Sequence, residues 1–260
     1  MSEWIAQQME SLSELTRGPE GVIVRVLRDP EFFGIASETG HSICSLYHMA
    51  LQSGILPCRY LNNRGCLDHD DQLALAESCV AVLGVGGLGG HVIQLLARLG
   101  IGRVVAVDHD VFEETNLNRQ LFSDSSVLGK PKVEVASCAI SKINPSVVFV
   151  PRNERLGAEN CRTLLEGADV VIDALDNVSD RLTLENGAQS LGLPLVHGAL
   201  RDLEGHLMTI LPGDPGLKTL YGEDAEIWEA EATREPIGVL SPTPALLGAA
   251  MAMEAVKILL

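Results

Sequence analysis

Residues 80–100 read VAVLGVGGLGGHVIQLLARLG, and the fold is decided there. The apolar run ending at Leu83 is too short for a helix and reads as a strand buried on both faces. Glycines 84, 86 and 89 then satisfy G-x-G-x-x-G, and Leu88 to Leu99 continue as an apolar helix. Gly84 permits the tight turn, Gly86 and its neighbour Gly87 let backbone approach a phosphate, and Gly89 lets helix pack on strand. The free amide groups and positive end of that helix suit an anion. Asp108 closes the next strand, 24 residues after Gly84, where a carboxylate accepts hydrogen bonds from ribose hydroxyls. Strand, turn, helix and acid in that order point to a nucleotide, either a dinucleotide or ATP.

The same alternation continues outward. Strands are expected at Cys79 to Leu83, Arg103 to Val107, Ser146 to Val150, Asp169 to Ala174 and Leu195 to Val196. Helices are expected between them, at Lys132 to Ile143, Glu159 to Glu166 and Val178 to Leu191. Apolar strands separated by helices imply an α/β, Rossmann-like, mostly parallel, doubly wound sheet. His206 to Leu211 adds an antiparallel strand on the C-terminal side, and Pro244 to Leu260 a last helix. Residues 1–56 read as a mainly helical N-terminal extension, with a helix from Trp4 to Leu15, a β-branched run from Val22 to Leu27 and two short helices. Pro57 closes that extension, and residues 57–260 form the nucleotide-binding domain.

A chain of 260 residues, 46% hydrophobic, buries a sizeable core. Its net charge of −16 repels phosphate backbones and anionic lipid, which argues against nucleic acid and membrane surfaces as partners. The turn Glu38-Thr39-Gly40-His41 resembles a helix-turn-helix connection, but the acidity favours a packing module over DNA binding. No secretory signal and no apolar run of about 20 residues is present, so a cytoplasmic protein is expected. The six cysteines form no CxxC pair and read as reduced thiols, with no zinc site.

After Asp108 the sequence continues DVFEETNLNRQLF and then GKPKVEVA. Asp110, Asn116, Asn118, Arg119, Gln120, Lys130 and Lys132 thereby fall near the carboxyl edge of the sheet, where open α/β folds bind ligands. Arginine forks onto phosphate oxygens, lysine adds a mobile charge, and a triphosphate losing pyrophosphate needs that neutralisation. Downstream, VVIDALDN places Asp173, Asp176 and Asn177 at another strand end. Carboxylates there suit Mg²⁺ held on phosphate, or a cap on the following helix.

Together GVGGLGG, DHDVFEETNLNRQ, GKPK, DALDN, GALRDLEGHL and the closing MAMEAVKILL resemble the ThiF/MoeB/HesA family, over residues 59–260. These enzymes use ATP to adenylate the C-terminal glycine of small ubiquitin-like sulfur carrier proteins that end in Gly-Gly. The resemblance implies ATP rather than a dinucleotide. It makes Asp108 the ribose-binding acid, Arg119, Gln120 and Lys132 phosphate contacts, Asn116 a nucleotide contact and Asp176 the acid beside Mg²⁺. RYLNNRG resembles the family's R-Y-x-R-Q element, whose arginine reaches the ATP of the partner subunit in a homodimer. Arg64 is the first choice for that arginine and Arg59 the second.

The family's paired CxxC motifs for structural zinc are missing: the first position reads LPGDPGLKTLYG, and the sequence ends at Leu260. The loop cysteine of some members falls near TREPIGVLSP, where Arg234 stands, and no cysteine follows Cys161. Adenylation without a covalent cysteine intermediate at that position, followed by a sulfur donor, is the expected chemistry. The acidic loop GEDAEIWEAEATRE reads as a solvated linker. Two alternatives stand beside this reading: a non-catalytic nucleotide-binding module that recognises a carrier, and an NAD-dependent oxidoreductase.

Overall fold

The computed structural model describes residues 2–222 and 238–260. The chain opens with helix α1 (Ser2–Leu12), strands β1 (Glu14–Arg17) and β2 (Ile23–Leu27), helices α2 (Asp29–Thr39) and α3 (Ile43–Gln52), and strand β3 (Leu56–Pro57). The extension is thus not only helical. The helix expected to run to Leu15 stops at Leu12, because β1 pairs antiparallel with β2. β3 adds in parallel on the other side of β2. Ile5, Met9, Val26, Phe32, Leu46, Tyr47 and Tyr60 close a core of their own under this small sheet. Gly40, in the left-handed region at φ 74°, ends α2 and lets α3 fold back over it, so the helix-turn-helix-like turn serves packing.

This segment is fastened to the larger sheet domain by buried polar contacts. Asn144 donates to the Tyr60 hydroxyl at 2.8 Å, and Arg59 donates to the Ile143 carbonyl at 2.9 Å. Asp68 then caps helix α4 (His69–Glu77) through a reciprocal capping box with Asp71.

From there strand and helix alternate: β4 (Cys79–Leu83), α5 (Gly87–Leu99), β5 (Arg103–Val107), α6 (Lys132–Ile143), β6 (Val148–Arg152), α7 (Cys161–Leu165), β7 (Val170–Asp173), α8 (Val178–Leu191), β8 (Leu195–Arg201) and β9 (Glu204–Ile210). A short helix α9 (Lys218–Tyr221) and a terminal helix α10 (Pro242–Leu259) complete the described chain. The strands lie in the order β6-β5-β4-β7-β8-β9, all parallel except β9, which returns antiparallel on β8. Along β4 the side chains alternate between two cores. Val80 and Val82 meet α5, α6 and α10 on one face. Cys79, Ala81 and Leu83 meet α7 and α8 on the other. The strand order reverses direction at β4, so its carboxyl edge and that of β7 open a crevice, the place where folds of this kind bind ligands.

The expected elements recur with small shifts. β6 starts two residues later than expected, since fully buried Asn144 anchors a turn at 144–147 that delays the strand. No described helix is long and apolar enough to cross a membrane. The acidic loop and Arg234 fall within 223–237 apart from Gly222, outside the described residues.

Candidate functional site: a nucleotide cavity at the switch point

A cavity of about 500 Å³ opens over the ends of β4 and β7, a size that suits a nucleotide. Its floor is the glycine turn. Gly84 sits at φ +92°, and a β-carbon there would stand 2.4 Å from the Ala174 carbonyl oxygen, so only glycine fits. Gly86 and Gly87 line the cavity, whereas Gly89 does not and serves the contact of α5 with the turn. Asp108 lines the cavity beside the turn and braces it: one carboxylate oxygen accepts from the Val85 amide at 2.7 Å, the other from the Asp110 amide at 2.8 Å. Among the described residues, Asp108, His109 and Asp110 form the one cluster spaced for a cation. Their carboxylates already hold amide groups and Lys132, which leaves this wall better suited to a ribose than to a metal.

Lys132, at the first turn of α6, is buried, with its ammonium 2.9 Å from Asp110. Burial alone would raise the Asp110 carboxyl, but the hydrogen bond and charge of Lys132 hold it below its ordinary range. Arg119 and Gln120 reach the cavity from the 3₁₀ turn at Glu114–Asn116. Arg119 donates to the Thr115 carbonyl at 2.7 Å and to Asn118 at 2.9 Å. Gln120 is 8% exposed, and its Oε1 has no hydrogen-bond partner among the described residues. A buried acceptor without a donor at a cavity wall is the kind of group a ligand satisfies.

Asp176 is exposed at the rim, and among the described residues its one side-chain contact is Asn177 Nδ2 at 3.3 Å. Asn177 is the N-cap of α8, accepting from the Asp180 amide at 2.8 Å. Both line the cavity. The exposed carboxylate of Asp176 and the orphaned Gln120 oxygen are hard oxygen donors of the type Mg²⁺ takes alongside phosphate.

Three expected residues lie elsewhere in the chain. Asn116 is turned into its own loop, where its Oδ1 accepts from the Glu113 amide at 3.0 Å. Arg64 pairs with Glu20 at 2.8 Å, and Arg59 pairs with Asp29; neither lines the cavity of its own chain. The cavity also contains residues that sequence reasoning passed over: Glu154 and Arg155 beyond β6, and Asp180 and Arg181 on the first turn of α8. Arg181 lies four residues beyond the cap Asn177 and therefore on its face of the helix, a spacing that could have marked it. Arg119, Lys132, Arg155 and Arg181 bring four cations to one cavity in a chain of net charge −16.

A doubly wound sheet with a glycine turn and a cation-lined cavity at its switch point puts the protein in the doubly wound α/β class. The chain belongs to the ThiF family, whose family model matches residues 60–260. It is 38% identical over 194 residues to a SAMP-activating enzyme E1 of Haloferax volcanii, covering 74% of this chain and 70% of that protein. It is 34% identical over 201 residues to a sulfur carrier protein adenylyltransferase of Thermus thermophilus, covering 74% and 72%. Among solved structures, Escherichia coli MccB with succinimide superposes with a TM-score of 0.68 at 20% identity, over 88% of this chain and 74% of that one, which speaks for the fold.

Proposed function

We propose that residues 57–260 adenylate the C-terminal glycine of a small ubiquitin-like, β-grasp sulfur carrier protein, with Mg·ATP as the second substrate. The observation that carries this reading is the buried Lys132 ammonium, which lines one cavity together with Arg119, Gln120 and Asp176. A hydride-transfer site has no need of cations set against an acidic rim. A triphosphate that releases pyrophosphate does.

In this mechanism a carboxylate oxygen of the carrier glycine attacks the α-phosphorus of ATP. The bond from that phosphorus to the bridging oxygen breaks, and the electron pair leaves with pyrophosphate. The glycine turn and the amino end of α5 hold the phosphates by backbone amides, and Asp108 holds the ribose. Lys132 exchanges Asp110 for a phosphate oxygen, and Arg119 leaves its loop carbonyl to fork onto the departing charge. Gln120 and Asp176 face the metal–phosphate side. Mg²⁺, held through ATP with Asp176, would spread the charge that builds on the leaving group. No protein nucleophile enters this scheme, so positioning and charge account for the rate. A nucleophilic sulfur of a donor then attacks the carbonyl carbon of the acyl-adenylate, the acyl–oxygen bond breaks and AMP leaves.

Two relatives support a carrier substrate, since one is a SAMP-activating enzyme and another adenylates a sulfur carrier protein. We further read the active unit as a cytoplasmic homodimer in which Arg64, or failing it Arg59, exchanges its acidic partner for the neighbouring subunit's ATP.

Calorimetric titration of wild type and Lys132→Ala with Mg·ATP, and separately with NAD⁺, tests the reading. ATP binding that weakens at least tenfold in the variant, with no response to NAD⁺, is expected. Binding of NAD⁺ but not ATP would overturn it.

A further inference from the structure

Beneath the rim of the cavity runs a buried polar chain that the adenylation scheme leaves unused. β7 and β8 pair so that Asp173 and His197 stand opposite each other, and both side chains are fully buried. His197 Nδ1 lies 2.6 Å from one Asp173 oxygen, while the Leu175 amide donates to the other at 3.1 Å. On the far edge of the ring, His197 Nε2 lies 3.2 Å from the Tyr221 hydroxyl and 3.1 Å from His206 Nε2. Tyr221 accepts from Arg181 Nη1 at 2.8 Å. Arg181 closes the circuit by donating to the Leu175 carbonyl through Nε at 3.2 Å and Nη2 at 2.6 Å.

The donors fix the two ends of the chain. A guanidinium can only donate, so the Tyr221 oxygen accepts from Arg181. A carboxylate can only accept, so His197 Nδ1 donates to Asp173. A guanidinium at one end and a carboxylate at the other are joined through Tyr221 and His197. Arg181 is 8% exposed, yet among the described residues it has no carboxylate within ion-pair distance. A buried cation met mainly by neutral oxygens is costly, and such a group is retained where its placement matters.

What it holds is the turn that carries Asp176. That carboxylate has a single weak contact among the described residues, so its direction follows the backbone of residues 174–177. This backbone is fixed by the Ala174 amide on Leu83, the Leu175 amide on Asp173, the Asp180 amide on Asn177, and Arg181 on the Leu175 carbonyl. Two of these four braces come from the buried chain. We propose that Arg181, supported by Tyr221, His197 and Asp173, is a positioning residue that sets the Leu175–Asn177 turn, which abuts the glycine turn at Gly84, and so fixes where Asp176 stands on the cavity rim. The metal-facing role of Asp176 rests on the adenylation reading; the brace does not.

Arg181→Lys tests this, since a single ammonium cannot fork onto Leu175 and reach Tyr221 together. Tyr221→Phe removes only the hydroxyl and gives a milder second variant. In the ligand-free protein, the amides of Ala174, Leu175 and Asp180 are expected to exchange with solvent about tenfold faster in Arg181→Lys and a few-fold faster in Tyr221→Phe. The Val85 amide, braced by Asp108, should be unchanged. The half-saturating Mg²⁺ concentration for ATP binding should rise about tenfold in Arg181→Lys, with Arg181→Gln no better. Wild-type exchange at those amides in both variants overturns the brace. Faster exchange with an unmoved Mg²⁺ requirement overturns the link to Asp176. If wild type binds no Mg·ATP, the adenylation reading falls, and the exchange rates alone decide whether Arg181 holds the turn.

Discussion

A β-carbon on Gly89 would stand 1.8 Å from the carbonyl oxygen of Gly84, a separation no side chain tolerates. The two glycines, five positions apart, are what let α5 rise directly from β4. Gly89→Ala must therefore push the helix off the strand, and a stability loss of about 2–4 kcal/mol is expected. Thermal unfolding should report it as a drop of roughly 5–15 °C. Gly86→Ala is the opposite case. Its added carbon would meet only Gln120, at 3.6 Å, and at φ −82° the backbone asks for no left-handed residue. That variant should unfold within about 1 kcal/mol of wild type while losing nucleotide affinity, because the methyl occupies the path of the phosphate. Normal ATP affinity in Gly86→Ala would place the phosphates elsewhere.

Gln120 gives a second separation of folding from binding. Its Oε1 is buried without a partner among the described residues, so in the ligand-free protein the amide costs about 1–3 kcal/mol that an apolar side chain of similar size would not. Gln120→Met is expected to melt at or above the wild-type temperature and to bind Mg·ATP at least several-fold more weakly. A variant that binds normally would show that no ligand atom answers that oxygen.

Much of the fold could be read in advance because its signals are local. Cys79–Leu83 and Arg103–Val107 are short apolar runs that only a doubly covered strand explains, Lys132–Ile143 falls where its apolar spacing puts it, and Val178–Leu191 starts at its Asn177 cap. The glycine turn, Asp108, Arg119, Gln120, Lys132 and Asp176 meet at one cavity for the same reason: each follows a strand end. Contacts made across the sheet were not legible. Glu14–Arg17 is a strand only because Ile23–Leu27 lies beside it, and the isolated segment looks like the end of a helix. Asp173 and His197 are 24 residues apart and meet through strand register, although a polar residue closing one buried strand and another inside its neighbour were a usable hint. Asn116 sits in the expected motif, yet its inward orientation depends on a capping box that residue types leave ambiguous.

The fastening of the N-terminal segment should depend on pH through Asp29. Burial alone would raise its carboxyl, but hydrogen bonds from Arg59 and Tyr47 and the Arg59 charge hold it below the ordinary carboxylate range. With the folded value depressed, the stabilisation is fully present above the unfolded value of about 4 and disappears as pH falls through the lowered folded value. Asp29→Asn should thus cost about 1–2 kcal/mol at neutral pH, with the difference from wild type narrowing only in acid below about pH 4. Denaturant unfolding across that range checks the sign. A deficit that shrinks instead between about pH 7 and 9 would assign the effect to another group.

Asn116 separates two roles that the family resemblance merges. If it acts as the structure has it, its Oδ1 caps the turn that presents Arg119 and Gln120, and removing it loosens that turn whether or not nucleotide is present. Asn116→Ala should then lower ligand-free stability by about 1 kcal/mol, the usual cost of a lost cap, and weaken Mg·ATP binding through the displaced Arg119. Asn116→Asp keeps the acceptor and should restore the ligand-free melting temperature. A direct contact with the nucleotide predicts another pattern: both variants would melt normally without ligand, and both would bind ATP poorly. Melting curves with and without Mg·ATP for the two variants distinguish a cap from a ligand contact, because only the cap acts on the empty protein.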